Sequence, residues 1–103
     1  MNPIITNNLS KIQETCKKYK VKELYAFGSV TRNDFRKKSD VDLLVEFDKS
    51  QIPIDDFADN FFDFAENLEK VFNRRVDLLT LNSLRNKYFI QEVNETKQIV
   101  YAA

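Results

Sequence analysis

Two periods in the apolar residues divide this chain into helices and strands. A helical spacing of three to four residues predicts amphipathic helices at about residues 6–19, 55–72 and 83–95. Acidic residues open the second of these helices, where they favour the positive end of the helix dipole. Phe62 lies off the apolar line of that helix, and two interpretations stay open. It either widens the buried face or is an exposed aromatic residue that meets a partner.

Alternating residues and short apolar runs predict the strands. Residues 21–27 form a first strand whose apolar end favours a central place in the sheet. Residues 40–47 form the clearest strand, with apolar side chains on one face and carboxylates on the other. Residues 75–81 form a third strand, and a short extended piece follows near 99–101. The predicted fold class is α+β in mixed order, a small mixed sheet of about three strands flanked by helices, in one domain spanning 1–103.

The lengths of the connections predict how the strands are arranged. Only eleven residues separate Gly28 from Asp40, whereas a parallel crossover needs roughly a dozen or more. We therefore expect the first two strands to be antiparallel, which sets Gly28 and Ser29 beside Asp40 and Asp42. The long helix after the second strand permits a right-handed parallel crossover to the third strand. That crossover brings Asp77 to the same end of the sheet.

Composition and charge exclude several classes of function. Sixteen basic and sixteen acidic residues cancel, so no general attraction to nucleic acid or to an anionic membrane is expected. Histidine is absent, which excludes histidine acid–base chemistry, Ser-His-Asp triads and most zinc sites. Neither a signal peptide nor a transmembrane helix is predicted. The lone Cys16 is expected to be an inert core thiol, and a cytoplasmic location is the expectation.

One stretch of the chain carries the candidate chemistry. It contains the only glycine, Gly28, followed by Ser29, and then Asp40 and Asp42 in the pattern G-S-x10-D-x-D. A glycine lets the backbone approach a phosphate closely, and the serine adds a hydroxyl and a helix N-terminus. Two aspartates two residues apart on a strand share a face, where they can hold one or two magnesium ions. Such ions clamp the attacking and leaving oxygens of an in-line phosphoryl displacement.

Each candidate residue also has a plain structural interpretation. Surface strands often carry alternating acids, but the combination with a single glycine at this spacing favours a site for the aspartate pair. Asp77 either holds a second metal, helps to deprotonate an acceptor hydroxyl, or simply pairs with Arg74 or Arg75. Arg32 and Lys38 either offset the charge of a triphosphate or are solvated loop residues.

A resemblance to a known family lies in the segment FGSVTRNDFRKKSDVDLLVEF. It is similar to the signature of the nucleotidyltransferase fold shared by DNA polymerase beta and kanamycin nucleotidyltransferase. At this length the chain most resembles the minimal nucleotidyltransferases (MNT), and the likeness extends to RRVDLLT around Asp77. The resemblance implies that Gly28 and Ser29 grip phosphate, that Asp40 and Asp42 bind metal, and that Asp77 is the third carboxylate.

The same resemblance implies a biological role. Minimal nucleotidyltransferases are typically bacterial or archaeal and are encoded beside a HEPN-domain protein, with which they form a toxin–antitoxin module. The HEPN protein is an RNase toxin, and its partner can transfer AMP from ATP to a tyrosine of the toxin. The implied function is therefore a magnesium-dependent nucleotidyltransferase that uses ATP and forms a hetero-oligomer with a HEPN toxin.

Two other functions stay open from the sequence. A non-catalytic antitoxin would neutralise its partner by binding alone, which the small size of the chain and Phe62 favour. Transfer to a small molecule such as an aminoglycoside is a third candidate. Only about 20 residues follow the third predicted strand, which is too few for a second domain that encloses such an acceptor.

Overall fold

Four helices and four strands follow one another in the computed structural model, which describes residues 1–103. Their bounds are α1 Pro3–Thr6, α2 Leu9–Lys18, β1 Val21–Phe27, β2 Val41–Phe47, α3 Phe57–Phe72, β3 Val76–Thr80, α4 Lys87–Thr96 and β4 Gln98–Ala102. The mixed order of helices and strands confirms the predicted fold class. The longest helix, α3, has 16 residues, and none of the helices combines the length and the apolar character that crossing a bilayer requires.

The four strands form one mixed sheet in the order β3-β2-β1-β4. β1 pairs antiparallel with β2 and β4, while β2 pairs parallel with β3. The antiparallel arrangement and the parallel crossover predicted from the connection lengths are both confirmed. The sheet has four strands rather than about three, because the piece predicted near 99–101 pairs with β1 along Gln98–Ala102. Without β4, the backbone groups on that side of β1 would form an open sheet edge.

The two faces of the sheet are covered differently. α2 and α3 cover one face, where the alternate apolar residues of β2 meet both helices. This larger core includes Ile12, Cys16, Val41, Leu43, Val45, Phe47, Phe64 and Leu68. α4 covers part of the other face, where Phe27, Leu44 and Val93 form a smaller cluster. The polar residues of β2 therefore lie on the less covered face, on the same side as α4.

Helix bounds differ from the prediction where asparagine side chains bind the backbone. The helix predicted for residues 6–19 is confirmed as α2 but begins at Leu9, and a separate short helix, α1, precedes it. Between the two, the Asn8 side chain donates a hydrogen bond to the Ile4 carbonyl at 2.8 Å. The last helix begins at Lys87 rather than near residue 83. Its start is fixed by Asn86, whose side chain accepts hydrogen bonds from two N–H groups of the first turn.

The helix predicted for residues 55–72 is confirmed as α3, which a short 3-10 turn at Ile54–Asp56 precedes. Asn73 ends it in the left-handed conformation with φ 51°, which asparagine adopts more readily than most residues. Phe64 is fully buried in the larger core, whereas Phe62 is 67% exposed on the outer side of the helix. Of the two interpretations of Phe62, the exposed aromatic residue is the one observed.

We expect Phe64→Ala to lower the free energy of unfolding by about 3–5 kcal/mol, because it removes a fully buried ring and leaves a cavity. Phe62→Ala is the matched control on the same helix, with an expected change within about 0.5 kcal/mol. Urea unfolding followed by circular dichroism measures both values. Similar losses in the two variants would contradict the placement of these rings.

Candidate active site

The chain turns sharply after β1 at Gly28. This residue has φ +71°, a left-handed conformation that glycine adopts without steric cost. A Cβ on Gly28 would lie 2.5 Å from Oδ2 of Asp42, so the lack of a side chain is also a requirement of space. The Gly28 N–H donates to the Thr96 hydroxyl at 3.3 Å, and the Thr31 hydroxyl donates to the Gly28 carbonyl at 2.6 Å. The single glycine is therefore fixed directly against a carboxylate.

Ser29 lies inside a 3-10 turn at Gly28–Thr31 and does not cap a helix, which corrects the prediction. Phe27 occupies the N-cap position of this turn. Its backbone is extended, and its apolar side chain provides no capping hydrogen bond. The turn ends at Thr31, and Arg32 returns to an extended conformation. Ser29 directly follows Gly28 and is half-exposed in the turn.

Two of the three candidate metal ligands lie at paired positions of neighbouring strands. Asp42 of β2 pairs in register with Asp77 of β3 on one side and with Phe27 of β1 on the other. Neighbouring strands lie about 4.8 Å apart, so the two aspartates come from adjacent backbone positions. Asp40 immediately precedes β2, which begins at Val41, one residue later than predicted. The sheet thus brings together the acids that the sequence separates.

Asp42 is the most perturbed of these carboxylates. Burial, followed by the nearby charges of Asp77 and Asp40, raises the pKa of Asp42 from its ordinary 3.8 to about 6. Arg32 opposes this rise, and Glu92 adds to it. Like charges this close disfavour one another's ionised form, so a bound cation would favour the fully ionised set.

No hydrogen bond or ion pair within the chain neutralises Asp40, Asp42 or Asp77. The ion pairs of the structure involve other carboxylates, namely Asp34, Glu46, Glu66 and Glu92. Asp77 is exposed, and the ion pair with Arg74 or Arg75 that the sequence allowed is not formed. In their present rotamers the carboxylates do not converge on one point as a closed metal site would require.

Arg32 lies beside Asp42 but contacts two other carboxylates. Its guanidinium is 3.1 Å from Oδ1 of Asp34 and 3.6 Å from Oε1 of Glu92. Both pairs are exposed, and exposed pairs hold an arginine only weakly. Glu92 and Thr96, both on α4, border the site and were not singled out in the sequence. In the sequence, only their spacing of four residues would have placed them on one face of a helix, and that spacing is common on surface helices.

Lys38 lies in a basic groove next to Asp40. The groove has a volume of about 380 Å³ and is lined by Lys37, Lys38, Ser39, Asp40, Asn73, Arg74 and Arg75. Lys38 therefore borders Asp40, whereas Arg32 borders Asp42 and Glu92. Positive charge is available at both aspartates of the D-x-D pair.

Arg74 anchors the loop that runs from the glycine turn to Asp40. Its Nη1 donates to the carbonyls of Arg36 at 2.7 Å and Ser39 at 2.9 Å. The guanidinium also lies over the Phe35 ring, 4.4 Å from its centroid. This one side chain ties the loop to the start of β3, and so fixes the approach to Asp40.

A second groove opens on the same face of the sheet as Asp42 and Asp77. It has a volume of about 500 Å³, and its lining includes Leu79, Leu84, Tyr88, Phe89 and Glu92. Leu79 is two residues after Asp77 on β3, so both side chains point to the same face. Asp40, Asp42 and Asp77 do not line this groove, and Glu92, whose charge acts on Asp42, connects it with the carboxylates.

The sequence matches the family described as polymerase beta, nucleotidyltransferase, over residues 10–103. A Methanocaldococcus jannaschii protein named as a protein adenylyltransferase is 38% identical over 78 residues, which cover 76% of this chain and 75% of that protein. The protein adenylyltransferase MntA of Thermococcus cleftensis is 31% identical over 83 residues, which cover 81% of this chain and 76% of that protein.

Solved structures show the same fold. A minimal nucleotidyltransferase matches with a TM-score of 0.72 at 22% identity, covering 98% of this chain and 96% of the other. A complex of a tri-AMPylated Shewanella oneidensis HEPN toxin with an MNT antitoxin contains a chain that matches with a TM-score of 0.63 at 21% identity. The match covers 96% of this chain and 73% of that chain. A toxin–antitoxin structure with AMP-PNP matches with a TM-score of 0.65 at 22% identity, covering 94% and 73%.

We expect Gly28→Ala to lower the free energy of unfolding by about 1–3 kcal/mol, because the new Cβ meets Asp42 and the residue has positive φ. Lys20→Gly is the matched control, since Lys20 also has positive φ, at 62°. Lys20→Gly relieves the backbone strain of a positive φ, so we expect the free energy of unfolding to stay unchanged or to rise by up to about 1 kcal/mol. Urea unfolding compares the two variants. A Gly28→Ala protein as stable as the wild type would contradict the close approach of the turn to Asp42.

We expect Asp42→Asn to stabilise the metal-free protein at pH 7 and to have little effect near pH 4. The pKa of Asp42 is raised in the folded state, so its contribution to stability is fully present below about 3.8 and is lost as the pH rises through about 6. An asparagine stays neutral and avoids this loss. Urea unfolding at a series of pH values in a chelating buffer gives the difference between variant and wild type.

Asp48→Asn is the control, because its expected effect on stability at pH 7 has the opposite sign. Hydrogen bonds from Ser50 and Gln51 lower the pKa of Asp48, so its contribution is present at neutral pH and is lost as the pH falls through that lowered value. Asp48→Asn is therefore expected to destabilise the protein at pH 7. A stability difference for Asp42→Asn that does not change between pH 4 and pH 7 would show that Asp42 has an ordinary pKa.

Proposed function

The chain belongs to the polymerase beta nucleotidyltransferase family, and from this premise we propose a specific reaction and partner. The protein transfers AMP from ATP, with magnesium, to a HEPN-domain RNase toxin and so acts as its antitoxin. The observation that carries this proposal is the register of the sheet, which sets Asp42 beside Asp77 and directly under Gly28. The adenylyltransferase names of the relatives and the toxin–antitoxin complexes of the structural neighbours support the reaction and the partner.

The donor set of the site fits magnesium. Carboxylate oxygens are the hard ligands that Mg²⁺ prefers, and no histidine or thiol competes at this edge of the sheet. Asp40, Asp42 and Asp77 make no hydrogen bond or ion pair within the chain, so no such contact has to break before their oxygens bind a cation. When bound, magnesium neutralises phosphate charge and stabilises the attacking and leaving oxygens.

The residues of the turn and of the basic loop bind the triphosphate in this proposal. The glycine turn allows a phosphate to approach the backbone, and Ser29 offers its hydroxyl. Arg32 offsets phosphate charge beside Asp42, after giving up its weak pairs with Asp34 and Glu92. Lys38 does the same from the groove beside Asp40.

The transfer step forms one bond and breaks one. The acceptor hydroxyl oxygen attacks the α-phosphorus of ATP, and the bond from that phosphorus to the bridging oxygen breaks, so that pyrophosphate leaves. Asp77 is exposed at the site, where it either holds a second metal or takes the proton of the acceptor hydroxyl. The groove beside Leu79 offers a place for the side chain that bears this hydroxyl.

A second candidate function is neutralisation of the same partner by binding alone. The observation that favours it is the exposed Phe62, an aromatic residue that makes no contribution to the candidate active site. A pure binder needs neither the aspartates nor ATP. The two functions therefore differ in what the loss of the aspartates does to neutralisation.

We expect the double variant Asp40→Ala, Asp42→Ala to lose AMP transfer while it keeps its fold, because it removes two of the three metal ligands. The assay combines labelled ATP, Mg²⁺ and the HEPN-domain protein encoded by the adjacent gene, with mass spectrometry of that protein. Glu14→Ala, which removes an exposed carboxylate from α2, is the control and is expected to transfer at the wild-type rate. An unchanged rate in the double variant would overturn the metal-site assignment.

Two further readouts separate the candidate functions. Mg²⁺ is expected to raise the thermal midpoint of the wild type and not that of the double variant, because binding to the folded state alone stabilises it. Inhibition of the partner's RNase activity by the double variant would favour neutralisation by binding. An unmodified partner after incubation with the wild type, ATP and Mg²⁺ would count against adenylyl transfer.

A further inference from the structure

Helix α3 carries an apolar strip on the side that faces away from the sheet. Ile54, Ala58 and Phe62 follow one another at spacings of four residues, with Ile54 in the turn just before the helix. Ile54 is 91% exposed and Phe62 is 67% exposed. Residues four apart lie one above the other on a helix, so Ala58 and Phe62 are aligned, and Ile54 in the preceding turn borders the same groove as Ala58. We call these three residues the α3 strip.

The α3 strip runs into a groove with an apolar lining. The groove has a volume of about 630 Å³, larger than either groove at the candidate active site, and is lined by Lys49, Ile52, Ile54, Phe57 and Ala58. Aromatic contacts hold this surface in shape. Phe57 packs edge-on against the buried Phe47 at 5.5 Å, and Phe62 packs edge-on against Phe61 at 5.3 Å. Phe57 and Phe62 are therefore each packed against another ring of the chain before any partner arrives.

A row of acids follows the α3 strip on one side. Asp55, Asp59 and Asp63 each come one residue after a member of the strip, and all three are exposed. None of them is in an ion pair within the chain. The chain as a whole has a net charge of zero, so this row is a local concentration of unpaired negative charge.

We propose that the α3 strip docks a protein partner through an amphipathic segment of that partner. Apolar side chains of the segment fill the groove and cover Ile54 and Phe62. Lysine or arginine residues on the same segment lie along the acidic row. The inference rests on the proposed function, in which this partner is the HEPN-domain protein.

The charge pattern argues against a second copy of this chain as the occupant. Two copies joined by antiparallel α3 strips would place one acidic row against the other, which is unfavourable. The basic groove near Lys38 and Arg74 would attract the acidic row of another copy. Its lining contains no apolar side chain to receive Ile54 or Phe62. A partner that is apolar and basic on one face satisfies both parts of the surface.

The α3 strip lies away from the candidate active site. α3 packs on the sheet face that carries Val41, Leu43 and Val45, whereas Asp42 points to the opposite face. A partner held at the α3 strip leaves the carboxylates open. Binding and transfer are therefore separable by substitution.

Two sets of variants test the proposal against the HEPN-domain protein from the adjacent gene, by isothermal titration calorimetry. Ile54→Ser with Phe62→Ser removes the apolar anchors, and Asp59→Lys with Asp63→Lys reverses the acidic row. Each pair is expected to weaken binding by about tenfold or more, and wild-type binding is expected to weaken as salt is raised. Circular dichroism and binding of a fluorescent ATP analogue with Mg²⁺ are expected to stay unchanged.

The matched controls lie elsewhere on the surface. Ile99→Ser removes an apolar side chain that is 49% exposed on β4, and Glu14→Lys reverses an exposed acid on α2. Both controls are expected to bind with wild-type affinity. Equal weakening in controls and test variants would overturn the assignment of the α3 strip, since the loss would then be unspecific.

The outcomes distinguish this inference from the proposed function. If the wild type binds and modifies the partner, and the α3 strip variants bind it equally well, the docking surface is wrong and the function stands. If the wild type binds without modifying the partner, and the variants lose affinity, transfer is wrong and the docking surface stands. No binding by the wild type overturns both. A homodimer by analytical ultracentrifugation that the α3 strip variants dissolve would also overturn docking of a partner.

Discussion

The antiparallel pairing of β1 with β2 is the constraint on which the rest of this structure depends. It places the last residue of β1, Phe27, opposite Asp42, so the chain must turn directly over that carboxylate. Glycine fits there without any shift of its neighbour, since a Cβ at position 28 would lie 2.5 Å from Oδ2 of Asp42. The backbone turn and the acid are therefore packed directly against each other and form one structural unit.

This unit concentrates negative charge on one face of the sheet, which disfavours folding. Burial, together with repulsion from Asp77 and Asp40, raises the pKa of Asp42. The opposite face of the same strand offsets that cost, because its alternate residues are buried against α2 and α3. Functional sites commonly contain locally unfavourable interactions of this kind, and the surrounding structure supplies the stability that offsets them.

Alternation and connection length were enough to predict the three main strands, their directions, the meeting of Gly28 with Asp42 and the position of Asp77 next to Asp42. Features that arise from contacts between distant parts of the chain could not be predicted. The Gly28 N–H reaches Thr96, and Arg74 reaches the carbonyls of Arg36 and Ser39. No local pattern encodes such contacts. The position of Ser29 was missed for another reason, because a 3-10 turn and the start of a helix have similar sequences.

The acceptors of Arg74 have a consequence for sequence variation in this loop. Arg74 binds main-chain carbonyls, which every residue type provides. These two hydrogen bonds therefore do not depend on which side chains stand at positions 36 and 39. Lys37 and Lys38 make no hydrogen bond through their side chains, so these two can change without loosening the path to Asp40, whereas the Ser39 hydroxyl accepts a hydrogen bond from the Arg36 N–H at 3.0 Å. The loop is thus a place where charge and substrate preference can evolve while the scaffold stays constant.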